Sequence, residues 1–526
     1  MTPAFRTRRD FLAEVGRGML VATVGFEVAT DLNLASVSAS AGAEAEGGVL
    51  AFGSLEPLVA LMQETPVNHL LPALTAKLRS GTELRQLVAA AALANARTFG
   101  GEDYVGFHTM MALAPAYHMA LELPKESQAL PVLKVLFRNT NRIQEHGGRK
   151  DEVLHPVAPG SISSSRPGGE ALRDAVRRKD VAEAERTFAR LAQGRPEDAF
   201  NDLLCAVQDG TEVHRVVMPY RAWDMLGLIG MDHAHTLLRQ SVRYCVKSEG
   251  SAADPRNSTS RTLLPKLLEE HRLLGRKAGD RALDDGAFDE LSQAFFKSTA
   301  AQAAAAAASA LAEGVAPAVV GEALTLAANQ LILRDLGRTP RDESPGKPPG
   351  TVHGDSIGVH ACDSANAWRN LARGSNSRNS FASLILGAYQ VANDRVARGG
   401  DFLNWQPLPY GWQHEQTKPL TDAGALLRDA EESIRGNLQG RAASAIHRYG
   451  ELGHPPRPVF DLLLRYAVSE DGALHAEKFY RTVSEEFAST RAPFRWRHLV
   501  ALARVTASEF GRPAPGMAEA RELLKV

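Results

Sequence analysis

Three cysteines in 526 residues, Cys205, Cys245 and Cys362, are too few and too odd in number for a disulfide framework or a Cys-rich zinc module. Charge of one sign is also missing. The net charge of −1 and pI near 7 exclude the clustered basic field that nucleic acid or an anionic membrane surface requires. Apolar runs are short, so no stable membrane span is expected. Alternating Val/Ile/Thr/Tyr runs bounded by turns, the signature of strands, are nearly absent. No Gly-x-Ser-x-Gly elbow, phosphate loop, dinucleotide fingerprint, Cys-x-x-Cys-His haem site or His-Glu-x-x-His zinc motif occurs.

What is present is helical. Leucines recur at helix spacing from Leu55 onward, and alanine-rich stretches run to Arg97 and from Ala304 to Ala312. With 44% apolar residues the chain can build a core, and its length exceeds what one core normally serves. The fold class expected is all-α, built as two tandemly duplicated helical halves related by a pseudo-two-fold axis.

The duplication rests on landmarks that return in the same order. Leu78-x-x-Gly81 is matched by Leu311-x-x-Gly314, and Gly106-Phe107-His108 by Gly358-Val359-His360. Arg195-Pro196 is matched by Arg457-Pro458, Asp209-Gly210 with His214 by Asp471-Gly472 with His475, and His235 by His498. Insertions fall in loops, which is how repeats diverge. The expected division is a leader over 1–45, a first half over 46–250, a connecting segment over 251–303 and a second half over 304–526. The second half carries inserted loops at 338–356 and 400–416, the latter holding Trp405, Tyr410 and Trp412.

Sixteen histidines supply the candidate chemistry, because imidazole titrates near neutrality and binds Fe, Zn, Mn and Cu. Paired residues of a duplicated fold converge at its axis. On that reasoning His108 and His360 are the expected catalytic bases or ligands, and His214 and His475 complete a transition-metal set, with Asp103 or Asp363 as carboxylates. His353, Asp355, Asp363 and Arg369 are expected to contact a cofactor or small-molecule ligand. The competing expectation is a non-catalytic helical-repeat scaffold whose histidines satisfy buried polar groups.

Two resemblances add to this reading. Thr7-Arg8-Arg9-Asp10-Phe11-Leu12, the apolar stretch Gly18 to Phe26 and Ala39-Ser40-Ala41 resemble a bacterial twin-arginine export signal, although Arg17 and Glu27 flank the apolar stretch closely. The resemblance implies the export machinery as a partner and a periplasmic or otherwise exported location, tethered to the membrane if the signal stays uncleaved. It also raises the expectation of a cofactor inserted before export. Gly358-Val359-His360, Asn366-Ala367 and Arg369-x-Leu371 resemble a histidine-helix motif of questin-oxidase-like proteins, helical oxidases proposed to oxygenate polyketides, which implies an oxidoreductase. The first half departs from that motif, with Tyr117 standing where Arg369 does.

Overall fold

Alanine-rich helices that are apolar all round go to the centre of this protein, and amphipathic ones wrap them. The computed structural model describes residues 48–163, 165–254, 258–343, 347–354, 356–397 and 400–526. The expected export signal and Asp355 lie outside the described residues. Twenty-three α-helices, five three-residue 3-10 helices and two isolated bridges account for the regular structure among the described residues, so the all-α expectation holds. None of these helices is long and apolar enough to cross a membrane.

The first helices are α1 (Glu56–Glu64), α2 (Val67–Arg79), α3 (Leu84–Phe99), α4 (Tyr104–Glu122) and α5 (Ala129–Glu145). A long loop leads to α6 (Gly168–Arg177), α7 (Val181–Leu191), α8 (Pro196–Val207), α9 (Val213–Ile229) and α10 (Ala234–Ala252). Then come α11 (Thr259–Glu270), α12 (Asp285–Lys297), α13 (Ala300–Ala312), α14 (Pro317–Arg334), α15 (Ile357–Arg373) and α16 (Ser377–Ala397). The chain closes with α17 (Gly411–Thr417), α18 (Ala423–Arg435), α19 (Gln439–Glu451), α20 (Arg457–Ser469), α21 (His475–Ser489), α22 (Trp496–Glu509) and α23 (Met517–Leu524).

Local chemistry starts many of these helices. Asp103, Asp180, Glu212, Ser356 and Asp422 each accept a backbone N–H of the first turn that they precede. Helices α3 and α14 are buried on every side over most of their length, which their Ala/Leu composition permits. Each is followed by a Gly-x-His helix lying against it, and the glycine explains the contact. A Cβ on Gly106 would come within 2.5 Å of the Phe99 ring, and one on Gly358 within 2.6 Å of the Ile332 backbone. The motif thus fixes how closely α4 meets α3 and α15 meets α14, and the histidine two residues later inherits that position.

Four helices from distant parts of the chain close a ring. Helix α4 packs on α9, α9 on α15, α15 on α21, and α21 back on α4. Each brings one of the expected histidines near its N-terminal end: His108, His214, His360 and His475.

Candidate functional site

The four imidazoles meet as two close pairs. Nε2 of His214 lies 3.2 Å from Nε2 of His108, and Nε2 of His360 lies 3.4 Å from Nε2 of His475. Across the pairs, ring centroids stand 5.2 Å apart for His108 and His475, tilted by 57°, and 5.9 Å apart for His214 and His360, T-shaped at 74°. His108 and His360 therefore occupy alternate corners of a four-membered ring of rings.

The other ring nitrogen fixes the tautomer. Nδ1 of His108 donates to the Tyr104 carbonyl at 2.7 Å, and Nδ1 of His475 donates to the Ala473 carbonyl at 3.1 Å. A carbonyl oxygen only accepts, so each of these neutral rings turns an Nε2 lone pair inward. Nδ1 of His214 sits 2.6 Å from the Glu212 carboxylate, which sets the same orientation. Burial holds His108 and His475 well below the ordinary histidine pKa, and the nearby Lys478 ammonium deepens both shifts.

Glu212 is the acidic residue closest to this arrangement. Partial desolvation would raise its carboxyl, but the hydrogen bonds it accepts from His214, and from the Tyr244 hydroxyl at 2.8 Å, hold it at about 2. The same carboxylate accepts the His214 and Arg215 backbone N–H groups, both at 3.0 Å, so one side chain caps α9 and orients the imidazole.

His475 is placed by a different route. Gly472, Ala473 and Leu474 take three successive positive φ values, 50°, 47° and 67°. Left-handed backbone at Ala473 and Leu474 is strained for residues with a Cβ. It sets the Ala473 carbonyl at the Nδ1 edge of the His475 ring. Gly354 closes over the other side, where a Cβ would overlap His475 Cβ and Cγ.

Beneath the histidines lies a buried charged layer. Lys478, fully inside, is lowered to about 8 by burial against the opposing pull of Asp363 and Glu477, and the buried Arg221 guanidinium is held by Glu485, Asp224 and Asp363. Asp363 is raised by burial and accepts from the Thr482 hydroxyl at 2.8 Å. His360 is only partly buried, and Tyr104 and Glu212 are exposed at the edge, so the cluster lies one side chain below the surface.

The remaining expected site residues have other partners. Asp103 caps α4 and makes a two-pronged ion pair with Arg142 at 2.9 and 2.6 Å, away from the imidazole nitrogens. Arg369 pairs with Glu486, and Asn366 donates to Glu485 and Glu486 at 2.9 and 2.7 Å. His353 is buried against the Arg512 guanidinium, 2.9 Å from Nδ1, and Glu509. His235 stacks on Phe188 and His498 meets the Thr490 hydroxyl at 3.1 Å, so this third repeated pair stays outside the cluster.

Sequence reasoning missed Glu212, Lys478 and a second group. Glu212 was readable as the residue capping the helix that His214 opens, and Lys478 as the position one turn after His475. The second group is His414, His447 and Glu451, whose ligand atoms all lie within 4.8 Å of one another. A cavity of about 490 Å³ opens beside it rather than at the four-histidine ring. Its walls include Leu408, Pro409 and Gly411 from the Trp/Pro/Gly-rich insert.

Comparison with protein-family models, with curated proteins and with solved structures returns no match, so the chemistry of this chain is argued from its own residues.

Proposed function

We propose that the protein is a metal-dependent enzyme whose ring of His108, His214, His360 and His475 holds one first-row transition ion, with oxidoreductase chemistry as its class. One observation carries this reading: inward Nε2 lone pairs face each other at 3.2 and 3.4 Å, with Nδ1 committed to acceptors on three of the four rings. Two lone pairs at that distance repel unless a cation or a proton lies between them. Nitrogen donors sharing a tetrahedral ion at about 2.0–2.1 Å stand about 3.3–3.4 Å apart, which is the separation within each pair. The two pairs stand further from each other, with no three of the four rings' donors within 4.8 Å of one another, so a shared ion requires the pairs to draw together as it binds.

Committing the second ring nitrogen to a carbonyl or carboxylate is how metal-binding histidines are held. Four neutral ligands leave the ion its full charge, which suits Fe, Cu, Mn or Zn and lets it polarise or exchange electrons with a bound substrate. The chain's own contributions are orientation of the rings by Glu212, Tyr104 and Ala473, and exclusion of bulk water by Phe107, stacked on His108. Lys478 and Asp363 sit where a proton could be held beside the site.

The twin-arginine-like leader supports export of this protein in a folded, loaded state, and the questin-oxidase-like motif around His360 supports oxygen chemistry on an organic substrate. The ordered landmarks support a tandem duplication that delivered two histidines from each half. A scaffold reading keeps one point in its favour, the depth at which His108 and His475 are buried.

Elemental analysis of the purified full chain beside a His108→Ala/His475→Ala variant tests the proposal. Near-stoichiometric metal that falls by one equivalent in the folded variant is expected. Identical metal content in the two proteins would overturn it.

A further inference from the structure

We infer that His414, His447 and Glu451 form a second, separate site for a divalent transition cation, open to a cavity that takes a carboxylate-bearing molecule with an apolar body. His447 and Glu451 lie four residues apart on α19 and so share one face of that helix. His414 comes across to them from the short helix α17, which packs on α19. Their rings stand 5.3 Å apart at 79°, edge to face, each with a nitrogen directed toward the carboxylate.

The distances separate this group from an ordinary hydrogen-bonded cluster. His414 Nε2 is 3.7 Å from one Glu451 oxygen, and His447 Nδ1 is 3.7 Å from the other. Both are too long for hydrogen bonds and only slightly longer than the roughly 3.4 Å between donors on one tetrahedral ion. Nδ1 of His414 and Nδ1 of His447 are both buried without a hydrogen-bond partner. A buried imidazole nitrogen normally has one; on His447 the orphan is the nitrogen that faces Glu451, so it points to a ligand between them. Arg448 lies 3.4 Å from the same Glu451 oxygen that His414 faces.

Two imidazoles and one carboxylate are a donor set that first-row divalent ions accept while keeping coordination positions open. Here the open side faces the cavity of about 490 Å³, into which both His414 and His447 protrude. The far wall combines Leu333, Leu408 and Pro409 with Arg334 and Arg497. Arg334 is committed to the Trp405 carbonyl at 2.5 Å, and to Gln330. Arg497 lies over the Phe494 ring, 5.0 Å from its centroid, and makes a loose ion pair with Asp289 at 3.8 Å, longer than a hydrogen bond. It is the group placed to receive an anionic end, with the Leu/Pro wall for the rest of the molecule. None of these residues belongs to the four-histidine ring, so the inference stands independently of it.

The test is equilibrium dialysis of the full chain against Co2+, read by bound cobalt and by its visible absorption. Three proteins are compared: the parent, His414→Ala/His447→Ala and His108→Ala/His475→Ala. Loss of one equivalent in His414→Ala/His447→Ala, with a cobalt band in His108→Ala/His475→Ala that shifts on adding benzoate and fails to shift when Arg497→Gln is added, is expected. Unchanged cobalt stoichiometry in His414→Ala/His447→Ala would overturn the site, and an unshifted band would overturn the carboxylate ligand. Should that double variant fail to fold, Glu451→Gln at a partly exposed position replaces it: an affinity reduced tenfold or more supports the site, and an unchanged one overturns it. Loss of cobalt only from His108→Ala/His475→Ala would leave the central ring standing and remove this second site.

Discussion

Replacing Glu212 by glutamine changes one charge and almost no volume, and it strikes the most heavily used contact around the central ring. The carboxylate accepts from His214 Nδ1 at 2.6 Å, from two backbone N–H groups at 3.0 Å and from the Tyr244 hydroxyl at 2.8 Å. Glutamine keeps an acceptor for the helix but loses the charge that makes the Nδ1 bond strong and the far nitrogen basic. Removing a group that orients a metal ligand typically weakens metal affinity about 10–100-fold, which is about 1.4–2.7 kcal/mol. The cost to the fold should be about 1–3 kcal/mol, because the glutamine NH2 stands where one oxygen accepted two hydrogen bonds and leaves those donors unpaired.

Chelator-competition titration of Glu212→Gln against Asp180→Asn separates the two effects. Asp180 caps α7 in the same manner, accepting from Glu183 N at 2.9 Å, but touches no histidine of the ring. Both variants should fold, Asp180→Asn at the smaller cost, and only Glu212→Gln should lose metal affinity. Equal affinity in Glu212→Gln and the parent, within a factor of about two, would refute the reasoning that Glu212 holds His214 as a ligand.

Further outcomes follow from the same contacts. His108, His475, His235 (to about 4) and His498 (to about 3) are all lowered by burial, so the unfolded chain binds more protons than the folded one below pH 6.5. Stability should therefore be fully present above pH 6.5 and fall as the pH drops, by about 1.4 kcal/mol per pH unit for each histidine still neutral. Glu509, raised to about 7 by burial, opposes one of the four between pH 4.5 and 7. Urea unfolding at pH 7 and pH 5.5 reads the difference, and equal midpoints would contradict it. Gly354→Ala would displace His475 and should lower central metal affinity at a fold cost of about 1–3 kcal/mol, measured by titration and urea unfolding. Arg97, fully buried, pairs with Glu56 at 2.9 Å and Glu152 at 3.0 Å and donates to Gln63. Arg97→Leu strands those groups and should cost about 3–5 kcal/mol in urea unfolding while sparing metal binding.

The all-α fold was legible because alanine- and leucine-rich periodicity has few other outcomes in a chain without strand signals. The convergence of His108, His214, His360 and His475 was legible too, through their repeated positions near helix starts. Their exact pairing was not. The pairing depends on how α4, α9, α15 and α21 meet, and those contacts join residues far apart in the chain. Asp103 shows the opposite failure: it resembled a ligand by its nearness to His108, yet a residue one step before a helix is first of all a cap. His414 with His447 and Glu451 matched no motif because one ligand comes from a short helix inside a Pro-rich insert. Only the packing of α17 on α19 unites them. The left-handed turn before His475 was equally hidden, since Ala473 and Leu474 carry no sequence sign of positive φ.

X-ray absorption at the metal edge of the full-length His414→Ala/His447→Ala protein, loaded with one equivalent of Co2+ or Zn2+, tests the central claim most directly. A first shell of nitrogen near 2.0–2.1 Å is predicted, with outer-shell scattering from several imidazoles, and that pattern should be lost in the protein that also carries His108→Ala and His475→Ala. An oxygen-dominated shell with fewer than two imidazoles, or a spectrum indifferent to those substitutions, would contradict it.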